Sequence, residues 1–423
     1  MQEHELRRQV VSEMHLRRWP VLAVPSLVVQ WVLGVTPEER AQEEQILASV
    51  PSQQGTDALA RHRSGAIAPD VQIAWEKHSE GSSIALFFEG LDETSLIKES
   101  QPEKVAEMIA WAEQLPGTVL RSTRIHIVAD DVAAERLLPA LAFNRSELIS
   151  CHFGGSARMW GDFRLREDGF GRLLVAANGT DRADFSRLVQ RLQELGNYRN
   201  RALIGLPLAQ AAWPRLDAVG ERVSHLSQKV AGDAASDDML LEELSSLSME
   251  LSAIDSEIDY RMSATAAYAQ LVRERLEQLK VVPIDGFMSL ADFTERRFLP
   301  AIRTCAAVTD RVTNQSSRAE RLASLLRARI NTRIENQNAR LLRSMDESAR
   351  MQLRLQQLVE GLSVVALSYY LLGLIEYGLK GLAAIWPALN PDNVLAILMV
   401  PIVAGIWITI RILKNRLLGG NSK

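Results

Sequence analysis

The C-terminal part of the chain constrains its fold most. Residues 361–375 (GLSVVALSYYLLGLI) and 393–410 (NVLAILMVPIVAGIWITI) contain no charged side chain. Runs of this length approach or match the roughly 17–25 apolar residues needed to cross the hydrocarbon core of a bilayer. Arg340, Arg343, Arg350 and Arg354 precede the first run, and Arg411, Lys414, Arg416 and Lys423 follow the second. The connector, residues 376–392, has Lys380 as its only base. Tandem apolar runs with basic flanks fit a two-span transmembrane hairpin better than a pair of buried core helices. The positive-inside rule then puts both termini in the cytoplasm. Arg350, Arg354, Arg411 and Lys414 are the candidate contacts with anionic lipid.

The remainder is a large body. The chain has 423 residues, 47% of them hydrophobic and 24% charged, which suits two or three domains with a short membrane part. A net charge of −4 gives no general pull toward nucleic acid. Cys151 and Cys305 have no metal-like spacing and read as reduced core residues. The N-terminal MQEHELRRQVVSEMH has no apolar core region, so no cleaved signal peptide is expected.

Periodicity predicts an α+β protein. Residues 71–78 and 82–89 alternate around Ser79-Glu80-Gly81, and 159–166 and 172–177 around Glu167-Asp168-Gly169, two hairpin signatures. Residues 119–128 read as a strand. Residues 102–114, 131–142 and 181–206 read as helices, the last ended by Pro207. Residues 52–68 are polar and patternless, and read as a loop. Beyond Pro214 the pattern is helical. Leu240, Leu244, Leu247, Leu251, Ile254 and Ile258 recur at threes and fours, a coiled-coil seam continued by Thr265, Tyr268, Val272 and Leu279. Leu322, Leu326, Ile330, Ile334, Leu341 and Met345 outline a second. The expectation is an antiparallel pair of long helices, in which Arg321, Arg327, Arg329 and Arg333 face Glu242, Glu243, Glu250 and Glu257. The organisation is then a mixed α/β domain over 1–206, a coiled-coil-like helical stalk over 207–357, two transmembrane helices over 358–415 and a basic tail over 416–423.

The chain carries no phosphate-binding loop, HExxH, GxSxG or paired CxxC motif, and no catalytic, metal or cofactor site is assigned. Its seven histidines are scattered. Glu13 with His15, and Glu76 with His78, combine a carboxylate and an imidazole and form a candidate polar pocket, although such residues near termini and hairpins usually face water. Were a catalytic site assembled from distant residues, His78, Arg158, Asp162 and Arg164 would be the first to inspect.

Several stretches resemble a bacterial family of uncharacterised membrane-anchored proteins. They are WEKHS (75–79), DFRLREDGFGR (162–172), RLVQRLQELGNYRNRALIGLP (187–207), ERRFLPAIRTCAAVTDR (295–311) and QQLVEGLSVVALSYY (356–370). Glu13-Met14-His15-Leu16-Arg17 is similar to the family's N-terminal Glu-x-His-Ala-Arg-Pro motif, with Leu16 in place of alanine. After His78 the chain reads Glu80-Gly81-Ser82-Ser83-Ile84, where the family has an aromatic-rich run. The resemblance implies a membrane-anchored protein with no assigned activity, and the expected location is the bacterial inner membrane.

The architectural plan also resembles CorA-type magnesium channels, whose first span closes on Tyr-Gly-Met-Asn. Here Tyr377 and Gly378 match, while Leu379 and Lys380 do not. Glu376, Tyr377, Gly378 and Lys380 are the candidate pore mouth, where a ring of Lys380 ammonium groups would repel divalent cations. The leading expectation is a non-enzymatic, homo-oligomeric membrane protein with a cytosolic sensor or scaffold domain. Its partners would be membrane lipid and a small ligand or protein of unknown identity, and not nucleic acid. A CorA-like ion channel is the alternative.

Overall fold

Ser26–Gly34 (SLVVQWVLG) shows no alternation, because both of its faces are covered, and it lies at the middle of the sheet as strand β1. The computed structural model describes residues 3–4, 6–7, 10–11, 18–48, 50, 61–97, 100–232, 236–383 and 391–418. Among these, β1 is joined by β2 (His62–Ala68), β3 (Val71–His78), β4 (Gly81–Phe88), β5 (Thr118–Val128), β6 (Ile149–His152), β7 (Arg158–Leu165), β8 (Gly171–Ala176) and β9 (Val282–Pro283). The nine strands form one sheet in the order β2-β3-β4-β1-β5-β8-β7-β6-β9, with β5 and β8 parallel and the other pairs antiparallel. The α+β class is therefore observed.

One face of the sheet buries Leu27, Val29, Trp31 and Trp75 against helices α1 (Glu39–Leu47), α2 (Glu103–Ala112) and α3 (Asp131–Leu137). The other buries Val28, Ile125, Ile127 and Val175 against α4 (Arg182–Leu203) and α6 (Asp237–Leu279). Asp181 accepts from the backbone N–H groups of Ala183 and Asp184 and so fixes the start of α4. Pro207 does not end that helix. Its ring needs no N–H donor in a first turn, so it sits at the beginning of α5 (Gly205–Ala231). Residues 62–68 form the edge strand β2 rather than a loop, while 51–60 lie outside the described residues. After α6 the chain returns to the sheet as β9, which pairs with β6 through Cys151 and His152.

The chain divides into two compact units, residues 1–323 and 324–423. Unit 1 takes in α5, α6, the four-residue α7 (Leu290–Phe293) and the first part of α8 (Leu299–Ala383) together with the sheet, so no boundary falls at residue 206. The α6 seam is buried from Leu240 to Ile258 and continues through Met262, Thr265, Ala269 and Val272. Three carboxylates of its acidic face have their ion-pair partners on α5. Glu257, Glu250 and Glu243 pair with Arg215, Arg222 and Lys229 of α5, which runs antiparallel to α6. The start of α8 packs on α5, where Gln315 donates to the carbonyl of Leu216 at 2.7 Å and Arg311 pairs with Asp217.

In unit 2, α8 is solvent-exposed at every side chain from 331 to 359. The second predicted seam is buried at Leu322 and Leu326 only. Ile334, Leu341 and Met345 are about half to two-thirds exposed, so the described residues leave them uncovered. Helix α8 reaches Ala383, so Glu376 to Lys380 are helical, and α9 covers Pro391–Leu418. The connector residues 384–390 lie outside the described residues.

Candidate functional site

A cavity of about 500 Å³ opens in unit 1 between β5, β7, β8 and α4. Two features of the backbone create it. Strand β7 slips register against β8 between Gly161 and Leu165, and Phe163 adopts φ 51°, a left-handed conformation costly for a bulky residue. The bulge turns the Phe163 ring onto Phe293, at 4.6 Å between stacked centroids. On α4, Gly196 leaves room for a side chain to cross the helix. A Cβ there would lie 2.8 Å from the guanidinium carbon of Arg121.

The floor is apolar, formed by Met159, Leu173, Leu192 and Leu290. The polar wall is made by Arg121 from β5 and by Gln193, Arg199 and Asn200 from α4. Arg121 donates through Nη1 to Asn197 Oδ1 at 2.7 Å and to Gln30 Oε1 at 3.2 Å, both neutral acceptors. Burial and the charge of Arg199 lower its pKa to about 9. Arg199 is 7% exposed and stacks over Phe163 at 4.2 Å and Phe293 at 5.5 Å. Burial lowers its pKa to about 10, so both guanidiniums stay charged at neutral pH. Among the described residues Arg199 makes no hydrogen bond and no ion pair, and Nη1 is fully buried. Gln193 is 1% exposed, and both its amide atoms lack partners. Among the described residues no aspartate or glutamate lines the cavity.

The candidate polar pocket is placed in part. Glu76 and His78, two apart on β3, share a face and line a second cavity of only about 30 Å³, together with Gln30 and Arg201. His78 Nε2 lies 3.0 Å from Ser83 Oγ. Glu13 and His15 lie outside the described residues. The constellation of His78, Arg158, Asp162 and Arg164 is not assembled. Arg158 pairs with Asp131 at 2.8 Å, Asp162 with Arg166, and Arg164 with Glu147. Of the four, Arg164 alone reaches the large cavity, and His78 lines the small one.

The membrane candidates stand in unit 2. The segments ending at Leu382 and spanning Pro391–Lys414 are both long and apolar enough to cross a bilayer. Lys414 pairs with Glu360 at 2.6 Å, which sets the end of α9 beside the start of the first apolar run and makes the two antiparallel. Lys414 is thus engaged with protein rather than free for lipid. Arg350 pairs with Asp346 at 3.0 Å, Arg354 is exposed, and Arg411 stacks on Trp407 at 5.0 Å. At the candidate pore mouth, Lys380 pairs with Glu376 one turn earlier, Tyr377 is 79% exposed, and a Cβ on Gly378 would meet none of the described residues within 4 Å.

Residues 2–417 match the family model described as protein of unknown function (DUF3422). The chain belongs to this family. No curated protein and no solved structure matches it, and the resemblance to CorA-type channels finds no support in these comparisons. The stretches 162–172 and 187–207, on which the family resemblance rests, hold Phe163, Gln193, Gly196 and Arg199. Arg121 lies in neither.

Proposed function

We propose that this DUF3422 protein is a membrane-anchored, self-associating binding protein, and not an enzyme. Its two apolar helices form a hairpin in the bacterial inner membrane, with both termini cytoplasmic. Unit 1 serves as a sensor or scaffold, and anionic lipid meets Arg350, Arg354 and Arg411. The Glu360–Lys414 pair carries the hairpin reading, because it brings both membrane-flanking ends to one side as the distribution of basic residues requires.

Self-association rests on the exposed stretch of α8. Ile334, Leu341, Met345 and Leu355 recur at a helical spacing and are each about half to two-thirds exposed. An amphipathic helix of this length draws most of its stability from packing its apolar stripe. A second copy anchored in the same membrane presents an identical stripe in parallel.

The test is membrane fractionation followed by native mass spectrometry of protein extracted in mild detergent. The expected result is a protein resistant to alkaline extraction that runs as a closed oligomer. Leu341→Asp together with Met345→Asp should shift it to monomer. Recovery in the soluble fraction would sink the anchoring, and a monomeric wild type at all workable concentrations would sink the self-association.

A further inference from the structure

Buried polar groups in folded proteins are almost always hydrogen-bonded, and buried charges are paired. The polar wall of the 500 Å³ cavity departs from both rules at three neighbouring side chains. Arg199 has no hydrogen bond or ion pair, Arg121 has only neutral acceptors, and Gln193 offers an amide with both atoms unused. These groups come from two elements, β5 and α4, and line one cavity with no acidic side chain among the described residues. Two guanidiniums with a carboxamide form a donor set that suits an oxyanion, since guanidinium groups engage carboxylate and phosphate through parallel N–H donors.

The rest of the lining narrows the ligand. Met159, Leu173, Leu192 and Leu290 are side chains with no hydrogen-bond donor for an anion, and a volume near 500 Å³ falls in the range of organic-ligand sites. An inorganic ion would fill only a small part of that volume. The charged wall is also held in place before any ligand arrives. The rings of Phe163 and Phe293 support the Arg199 guanidinium, and Asn197 and Gln30 hold that of Arg121. Groups fixed in this way lose little freedom on binding.

We infer that this cavity binds a small organic oxyanion, with its carboxylate or phosphate head on Arg121, Arg199 and Gln193 and its apolar body on Met159, Leu173, Leu192 and Leu290. The site is independent of the membrane reading, and its test is blind to where the protein sits.

Full-length protein in detergent is titrated calorimetrically with octanoate, octyl phosphate, acetate, inorganic phosphate and octanol. Saturable binding of octanoate or octyl phosphate is expected, at least tenfold tighter than acetate or inorganic phosphate, with no binding of octanol. The stronger of the two octyl ligands names the head group. Arg199→Lys should weaken that ligand tenfold or more, because it breaks the planar donor fork. Gln193→Leu keeps the volume and removes only unpartnered polar atoms, so it should remain folded while weakening binding several-fold. Absence of binding by every anion would overturn the proposal, as would octanol binding as tightly as octanoate. Affinity unchanged in both variants would place the ligand elsewhere and overturn it too. Inorganic phosphate binding as tightly as octyl phosphate would remove the organic body from the assignment.

Discussion

The two faces of the sheet each bury a polar cluster, and the two clusters are satisfied to different degrees. On one, Glu43 is fully buried and completely satisfied. It accepts from Arg40 at 2.9 Å, from Trp75 Nε1 at 3.0 Å and from Ser82 Oγ. Arg40 in turn donates to the carbonyls of His78 and Gly81, tying α1 to the β3–β4 turn. On the other face, Arg121, Gln193 and Arg199 line a cavity with donors to spare. The first cluster closes on itself and holds elements together. The second is held by rings and amides and leaves buried polar atoms without partners. Burial alone therefore does not tell a satisfied polar cluster from an unsatisfied one, whereas the tally of partnered donors and acceptors does.

The sharpest way to break this contrast is Glu43→Ala. Removing one partner of a buried pair strands the other, so a loss of about 3–5 kcal/mol is expected in urea unfolding. A loss under about 1 kcal/mol would mean the cluster is not structural. His126 tests the same face through pH. Burial first, then the charges of Arg172 and Arg124, lower its pKa to about 3, so it is neutral in the fold. Above about pH 6.5 it is neutral unfolded as well, and contributes nothing. Below that, the unfolded chain takes up a proton the fold excludes, and stability falls by about 1.4 kcal/mol per pH unit until the folded group titrates. Unfolding at pH 7 and pH 5 should show His126→Leu losing about 2 kcal/mol less than the wild type between the two.

The open cluster should respond with the opposite sign. Gln193→Leu removes two buried unpartnered atoms and should raise stability by about 1 kcal/mol in the ligand-free protein, read as a higher melting temperature. A drop of similar size would show that the amide is satisfied in solution. Gly196→Ala gives the smallest change. The helix gains about 0.5–1 kcal/mol, while the new methyl pushes the Arg121 guanidinium against its bonds to Asn197 and Gln30, which offsets most of that gain. Stability should be level or slightly higher, with binding of octanoate or octyl phosphate weakened.

Legibility in the sequence followed periodicity. Strand β3 and the α6 seam each have one buried face, so their apolar residues repeat at two and at three-to-four, and both were readable. Strand β1 is buried on both faces and offers no period, although it is central. Strand β2 has a partly exposed, small and polar composition and pairs only along one edge. Charge partners were less readable still. Glu243, Glu250 and Glu257 of α6 were expected to face α8 and pair with α5, because opposite charges in sequence do not name the helix that carries them. The cavity followed no motif. Arg121 and Arg199 come from elements far apart in the chain, and Phe163 reaches the site only through a bulge.

By itself the sequence determined the α+β class, the long helices, the two apolar runs and the hairpin turns at Gly81 and Gly169. Each is a local matter of hydrophobic period, length or a backbone angle that glycine tolerates. The tertiary structure alone decided the strand order, the return of Val282–Pro283 to the sheet edge, and which buried charges are satisfied. Those depend on which side chains meet across tens of residues, and a donor without an acceptor is visible only once its neighbours are in place.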